Sequence, residues 1–582
     1  MPSLETMTTT PSRALLPLVA DGPHGARSAA TCFYKCGNAC AHPEPNRTGH
    51  EHVADVVATA IRRRTLLQGA ALGTSALVVG AASAAPAAAA PARASGLLAR
   101  AAVGVDDFDP VDPNVRDALT VPRGYVSNVV AAWGDPVLPG APAFDAYAQT
   151  PASAAQQFGY NCDYVGVLPL DRRSALLVVN HEYTNEELMF PAGVYDAATI
   201  KRIAIQSHGM SVVRVRRTGA GTSGGWTLST SGTGAYNRRV TGSTPFRLDG
   251  PAAGDARLRT SGDPRGRTVL GTLNNCAGGT TPWGTVLSGE ENFNQYFGAS
   301  GALDPRYATS YARYGITATS ARGWLEVDDR FDLTVEPHEP FRFGWIVEID
   351  PYDRRSTPRK HTMLGRFKHE GANIVIAEDG HAVAYLGDDE RGDYLYKFVS
   401  ADTFDPRRGV RARRRNLNLL SRGTLYVARL TGDGADDGEY DGTGEWIALT
   451  TDTESFVPGM SVADVLIDTR LAADLMAPTR MDRPEDVEPN LVNGKVYAAL
   501  TNNSNRGTSY PVDEANPLAS SLVRDTFGGP LVAKSGNRNG YVLELTPDSG
   551  DHTGTGFTWT LPWSAATPRR RRPTSPASRR TR

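Results

Sequence analysis

Ala382-Val383-Ala384-Tyr385-Leu386-Gly387-Asp388-Asp389-Glu390 is an apolar run that ends, past one glycine, in three consecutive acids. The run is too short for an amphipathic helix and is bounded by glycine and charge, so it reads as a buried β-strand. The same switch from aliphatic to polar recurs along the chain. Leu177-Val178-Val179 runs into Asn180-His181-Glu182-Tyr183, Val286-Leu287 into Glu290-Glu291-Asn292, and Leu500 into Asn502-Asn503. Gly344 to Ile349, Tyr394 to Val399, Lys495 to Leu500, and Gly540 to Leu545 are further strand-like runs. Helical periodicity is scarce and regular β-α alternation is missing, which makes the chain all-β. Radial blades would gather such polar strand ends around one axis, so the expected fold is a β-propeller; a large jelly-roll-like assembly is the alternative.

The densest chemistry lies at Asn274-Asn275-Cys276-Ala277-Gly278-Gly279-Thr280-Thr281-Pro282-Trp283-Gly284-Thr285, which leads into Glu290-Glu291-Asn292-Phe293. A soft thiolate and hard carboxylates so close together suggest a metal site. Each residue also has a plainer reading. Cys276 can be a small core residue or can pair with Cys162 as a disulfide. Glu290 and Glu291 are adjacent, so on a strand only one faces the axis, and Glu291 is the choice. Asp388, Asp389 and Glu390 lie in a turn where a solvated acidic run is common. Arg483 and Glu485 share a face at alternate positions and can form an ordinary salt bridge. Asp486 and Glu488 are either surface charges or supports behind a ligand. His369 reads as a hydrogen-bonding support, and His181 and Glu182 are expected to supply shape and hydrogen bonds more than ligation.

The compartment is set upstream. Arg62-Arg63-Arg64-Thr65-Leu66-Leu67-Gln68 precedes an Ala/Gly-rich apolar run from Gly69 to Ala85 that contains Ala82-Ser83-Ala84. This pattern is a twin-arginine export signal, too short and too poor in leucine for a membrane anchor. The chain then divides into a leader (1–61), the signal (62–84), an Ala/Pro linker (85–104), one propeller domain (105–562) and a basic tail (563–582). About 480 residues remain after the signal, within reach of one large repeat architecture. No further membrane span is expected. Export in the folded state by the twin-arginine machinery suits a protein that carries metal. Cys32, Cys36 and Cys40, with His42 nearby, lie in the leader; they could hold a metal, although the spacing misses the common zinc patterns, or remain free thiols. Net charge is −2. Seven arginines between Arg569 and Arg582 mask a more acidic body, which argues against nucleic acid as a partner.

Six motifs in order resemble the PhoX-type secreted alkaline phosphatases: Asn180-His181-Glu182-Tyr183-Thr184-Asn185; Asn275-Cys276-Ala277-Gly278-Gly279 with Thr281-Pro282-Trp283-Gly284-Thr285; Glu290-Glu291-Asn292; His369-Glu370-Gly371-Ala372; Gly387-Asp388-Asp389-Glu390-Arg391; and Arg483-Pro484-Glu485-Asp486. The resemblance implies a six-bladed propeller whose axial site holds ferric iron (Fe3+) and calcium (Ca2+) bridged by an oxo group. It implies hydrolysis of small phosphate monoesters by a metal-bound oxo or hydroxo nucleophile. Carried onto this chain, Cys276, Glu370 and Glu485 would be iron or bridging ligands, with Glu291, Asp388 and Asp389 as further metal ligands. Arg483 would clamp the phosphoryl oxygens, since a planar guanidinium grips two at once, and Asn292 would donate another hydrogen bond. A monomer, secreted or retained in the periplasm or cell wall, is expected.

The chain departs from the family at its end. After Phe557-Thr558-Trp559-Thr560 it becomes Pro568-Arg569-Arg570-Arg571-Arg572-Pro573, which cannot bury a core. The expectation is a propeller lacking its last blade or part of it, through a frameshift, or a tail that binds acidic polymers or phospholipid. Two other functions stay open on sequence. One is a calcium-dependent propeller lactonase or phosphotriesterase, which has no need of Cys276; the other is an inactive, truncated propeller that only binds ligand.

Overall fold

The computed structural model describes residues 116–564, with 111 and 114, apart from 219–224, 230–235, 408, 436, 438 and 526–528. The leader, export signal and linker therefore lie outside the described residues, as does the tail from 565 onward. The described chain is mostly β with few, short helices, the longest over Ala197–Ser207. Among the described residues, no helix is long and apolar enough to cross a membrane.

One five-stranded sheet contains β1 (Cys162–Asp171), β2 (Ser174–His181), β3 (Gly209–Arg217), β4 (Trp226–Leu228) and β5 (Arg238–Val240). A six-stranded sheet follows, from β6 (Pro245–Asp249), β7 (Thr268–Leu270), β8 (Asn275–Thr280), β9 (Val286–Glu290), β10 (Ile346–Ile349) and β11 (Arg359–His361), in the order β7-β6-β11-β10-β9-β8. The remaining strands are β12 (Asn373–Ile376), β13 (His381–Gly387), β14 (Leu395–Thr403), β15 (Gly423–Gly432), β16 (Asp441–Thr451), β17 (Pro484–Pro489), β18 (Val496–Leu500), β19 (Ser520–Arg524), β20 (Leu531–Ser535), β21 (Tyr541–Pro547) and β22 (Gly556–Ser564). Strands β19 and β20 form a separate hairpin. The others make one nine-stranded sheet, β12-β13-β14-β15-β16-β22-β21-β18-β17. Its two ends return to each other, Asn373 Nδ2 on β12 donating to Val487 O on β17 at 3.2 Å, so the sheet is barrel-like and nearly closed.

Burial follows from position. Strand β2 is flanked by β1 and β3 and is buried almost throughout, which is why it reads as a continuous apolar run. Strand β21 instead alternates buried and half-buried residues, the signature of a sheet with one covered face. The strands that begin each unit are neighbours: Tyr164 Oη on β1 meets Thr280 Oγ1 on β8 at 2.8 Å. Two glycines permit the close approach of different units. A Cβ at Gly289 would sit 2.1 Å from the carbonyl oxygen of His369, and one at Gly387 would sit 2.1 Å from that of Glu485. These glycines immediately precede the Glu290-Glu291 and Asp388-Asp389 pairs, so backbone contact between units brings both acidic pairs inward.

Glu290 and Lys360 form a fully buried ion pair at 2.7 Å, with Thr272 Oγ1 donating to the same carboxylate oxygen at 2.8 Å. The ammonium also lies 3.8 Å from the centre of the Phe343 ring. Burial pushes the Lys360 amine down to about 8 and the Glu290 carboxyl above its usual range. Removing one partner strands the other charge in the core. Lys360→Met is expected to cost about 3–5 kcal/mol of stability, with Glu290→Gln in the same chain recovering most of it, as measured by denaturant unfolding.

Candidate active site

Five loops and strand ends, among others, converge on one pocket of about 230 Å³. Cys276 comes from β8, Glu291 and Asn292 follow β9, Glu370 precedes β12, Asp389 follows β13, and Arg483 and Glu485 lie at the start of β17. The sequence-selected residues Cys276, Glu291, Asn292, Glu370, Asp389, Arg483 and Glu485 all line it. Three overlapping groups bring their ligand atoms within 4.8 Å of one another: Cys276, Glu291 and Glu370; Glu370, Asp389 and Glu485; and Asp163, Glu182 and Cys276.

Asp388 is the exception. Its carboxylate points away from the pocket into a buried ion pair with Arg470, whose Nε donates to Oδ2 at 2.8 Å, and it also accepts from the backbone of Lys368 at 3.2 Å. A proposed ligand is thereby corrected to a structural anion. The reason is the alternation of side chains at the end of β13, which sends consecutive acids to opposite sides. Glu290 and Glu291 behave the same way. In both pairs the first acid is neutralised by a buried cation behind the site, and the second faces the pocket.

Several lining residues were missed or underrated in the sequence. Asp163 opens β1 without a preceding apolar run, so no local pattern marks it. Glu182, which the sequence reads as supplying shape and hydrogen bonds more than ligation, lines the pocket beside Asp163 and Cys276. Asn180, in the same motif, does act through hydrogen bonds: its Nδ2 donates to Cys276 O at 2.5 Å and to Ser288 Oγ at 2.9 Å, which fixes the cysteine's backbone. His369 Nε2 donates to Gly365 O, 2.9 Å away, and the ring packs on Phe367, as a support would. Cys162 and Cys276 are both free thiols, and the alternative of a disulfide between them is not realised.

Electrostatically the pocket is overloaded with anions. Its lining holds seven carboxylates and one thiol against two guanidinium groups, Arg322 and Arg483. Burial, followed by the charges of Glu370, Glu182 and Glu291, pushes the Cys276 thiol well up. Burial and the neighbouring acids Glu370 and Asp389 do the same to Glu291, and burial with Asp389 and Glu485 to Glu370. Glu485 is pushed up to about 7 by burial and by Asp389. Arg483 is drawn into this field: it pairs with Asp389 and lies 3.2 Å from Glu485. Asp389 Oδ1 is buried with no hydrogen-bond partner. A thiol, clustered carboxylates and an orphaned carboxylate oxygen fit a group of metal cations, which would lower every one of these raised values.

The backbone is strained at the same place. Asn274 and Arg483 both adopt left-handed conformations, φ 49° and 56°, at positions where most side chains are disfavoured. Asn274 uses this to accept from Asn292 N at 2.5 Å, and Asn292 Nδ2 in turn donates to Glu291. Such strain collects where a site must hold side chains in a set geometry.

Residues 106–581 match the family model described as Alkaline phosphatase PhoX. The chain belongs to the PhoX alkaline phosphatase family. Among solved structures it is similar to Pseudomonas fluorescens PhoX in complex with vanadate, a transition state analogue, at 40% identity over 78% of this chain and 75% of that chain, with a TM-score of 0.69. No curated protein matches it. As a PhoX member the chain is a metal-dependent phosphomonoesterase.

The two acids of Asp388-Asp389 are expected to separate in experiment. Asp388→Asn should lower the thermal midpoint and retain metal, whereas Asp389→Asn should lose metal with a smaller change in the midpoint; elemental analysis and thermal unfolding read both. A pH dependence also follows for the metal-free protein. Because the folded-state value of Glu485 is raised from 4.5 to about 7, the folded chain holds a proton that the unfolded chain has released. The stability linked to this group is therefore present below pH 4.5 and lost as pH rises to about 7. Chelated protein should show a falling thermal midpoint across that window, and metal-loaded protein should not.

Proposed function

We propose that this chain hydrolyses small phosphate monoesters outside the cytoplasm, at the pocket formed by Cys276, Glu370 and Glu485, with iron and calcium as its cations. The observation that carries this is the imbalance of seven carboxylates and a buried thiol against two guanidinium groups around one cavity. Cys276, Glu291 and Glu370 form the donor set suited to iron, since thiolate is the soft ligand among them. Glu370, Asp389 and Glu485 supply only carboxylate oxygen, which suits calcium. When bound, the cations would supply the positive charge that phosphoryl transfer demands and the Lewis acidity that activates water.

The chain's own residues then divide the remaining work. Arg483 is held by Asp389 and Glu485; with those carboxylates occupied by ligation, its guanidinium has donors for two phosphoryl oxygens. Asn292 Nδ2 is placed at the same wall to donate to a third. Asn180 and Asn274 keep Cys276 and Asn292 in position through the hydrogen bonds described above. The relative captured with a transition state analogue supports a pocket built for a phosphoryl oxyanion.

Export by the twin-arginine route and action as a monomer belong to the same proposal, the first supported by Arg62-Arg63 ahead of the apolar run. A six-bladed propeller is likewise proposed. Its support is that β1, β8 and β17, and the segment just ahead of β12, come from different parts of the sheets and deliver residues to one pocket.

The test is metal content and p-nitrophenyl phosphate turnover of the exported protein. Cys276→Ala is expected to lose iron and turnover together; calcium without iron in the active wild type would overturn the assignment of iron. Arg483→Ala should lower kcat/KM by about 100-fold or more while metal content holds.

A further inference from the structure

A second cavity, of about 300 Å³, adjoins the acid-lined pocket, and Tyr183, Gln295 and Arg322 are walls of both. We propose that this cavity seats the alcohol moiety of the ester, and that the moiety it favours is an uncharged polyol, a sugar. The proposal rests on the phosphatase reading and adds the substrate class.

Three features lead to it. The first is continuity: a phosphoryl group held near Arg483 and Asn292 has the shared wall beside it, so its ester oxygen can lead directly into the neighbouring space. The second is charge. Unlike the first pocket, the second balances two acids, Glu186 and Glu187, with two cations, Lys201 and Arg322. Lys201 lies 2.5 Å from Glu326, and Arg322 donates to Thr184 O at 2.8 Å with Glu186 at 3.9 Å. Both cations are thus committed to acceptors, and the cavity offers no surplus positive charge for a second phosphate or a carboxylate.

The third is the mixture of surfaces. The Tyr183 ring, under the Arg322 guanidinium at 5.5 Å, and the side chains of Ala197, Ile200 and Ala321 present carbon. Glu186 and Glu187 present carboxylate oxygens, each with lone pairs enough to accept from several hydroxyls. A sugar has both an apolar C–H face and a rim of hydroxyls that donate to carboxylates, so it matches both kinds of surface, whereas an alkyl or aryl alcohol matches only the carbon. Tyr183 and Arg322 are accordingly specificity-determining residues.

The test uses the full, metal-loaded enzyme and the ratio of kcat/KM for a hexose 6-phosphate to that for ethyl phosphate, whose alkyl group is too small to fill the cavity. Ala321→Trp fills the space from one wall, and Ala197→Trp fills it from the helix on the other; both positions are exposed, and the thermal midpoint is recorded for each. The ratio is expected to favour the sugar ester in the wild type and to fall about tenfold in either filled variant. A ratio that is unmoved in a folded variant, or a wild type that favours ethyl phosphate, would overturn the proposal by showing that the alcohol points into solvent. A wild type that turns over neither ester would bring down the phosphatase reading itself, a failure seen before any variant is made.

Discussion

Mutual repulsion among buried acids is the constraint around which this molecule is organised. Asp163, Glu182, Glu291, Glu370, Asp389, Glu485 and Asp486 surround a cavity small enough that their charges cannot be screened independently. Burial and the neighbouring acids push the carboxyls of Glu291, Glu370 and Glu485 above their usual range. A protein keeps such an arrangement only if something positive belongs there. Metal dependence is therefore written into the electrostatics of the PhoX scaffold, and Arg483, held among carboxylates that cations would occupy, is coupled to that occupancy.

The scaffold contains this repulsion by splitting its acids. Glu290 is matched by Lys360, Asp388 by Arg470, and Asp482 by Arg506 at 2.7 Å, each pair buried behind the pocket. These pairs are anchors: breaking one costs far more than its formation contributes, so they lock the strand ends whose next side chains face the cavity. Glycines 289 and 387 let backbones of neighbouring units touch at the same level. Close backbone contact, a buried counter-ion and an inward-facing acid thus recur as one device at two places.

A second consequence is the contrast between the two adjoining cavities. One is anionic and strained, with Asn274 and Arg483 in left-handed conformations; the other is balanced in charge and lined partly by carbon. Chemistry at a phosphoryl group and recognition of what it is attached to call for these different environments, and the wall of Tyr183, Gln295 and Arg322 joins them.

Much of this was legible in the chain itself. The runs at Ala175–Val179, Ala382–Leu386 and Gly540–Leu545 are strands because short aliphatic stretches between glycine and polar residues can be buried in no other way as economically. Cys276 and Glu291 stood out because a soft ligand and hard ones lie close together in the chain, whereas Glu370, Asp389, Arg483 and Glu485 stood out through motifs that resemble the PhoX family. Local pattern could not reveal Asp163, which no apolar run introduces, nor the turning of Asp388 toward Arg470, a partner 82 residues away. Which of two adjacent acids meets a ligand and which meets a buried cation depends on strand register and on residues brought from distant segments, and those are properties of the folded chain alone.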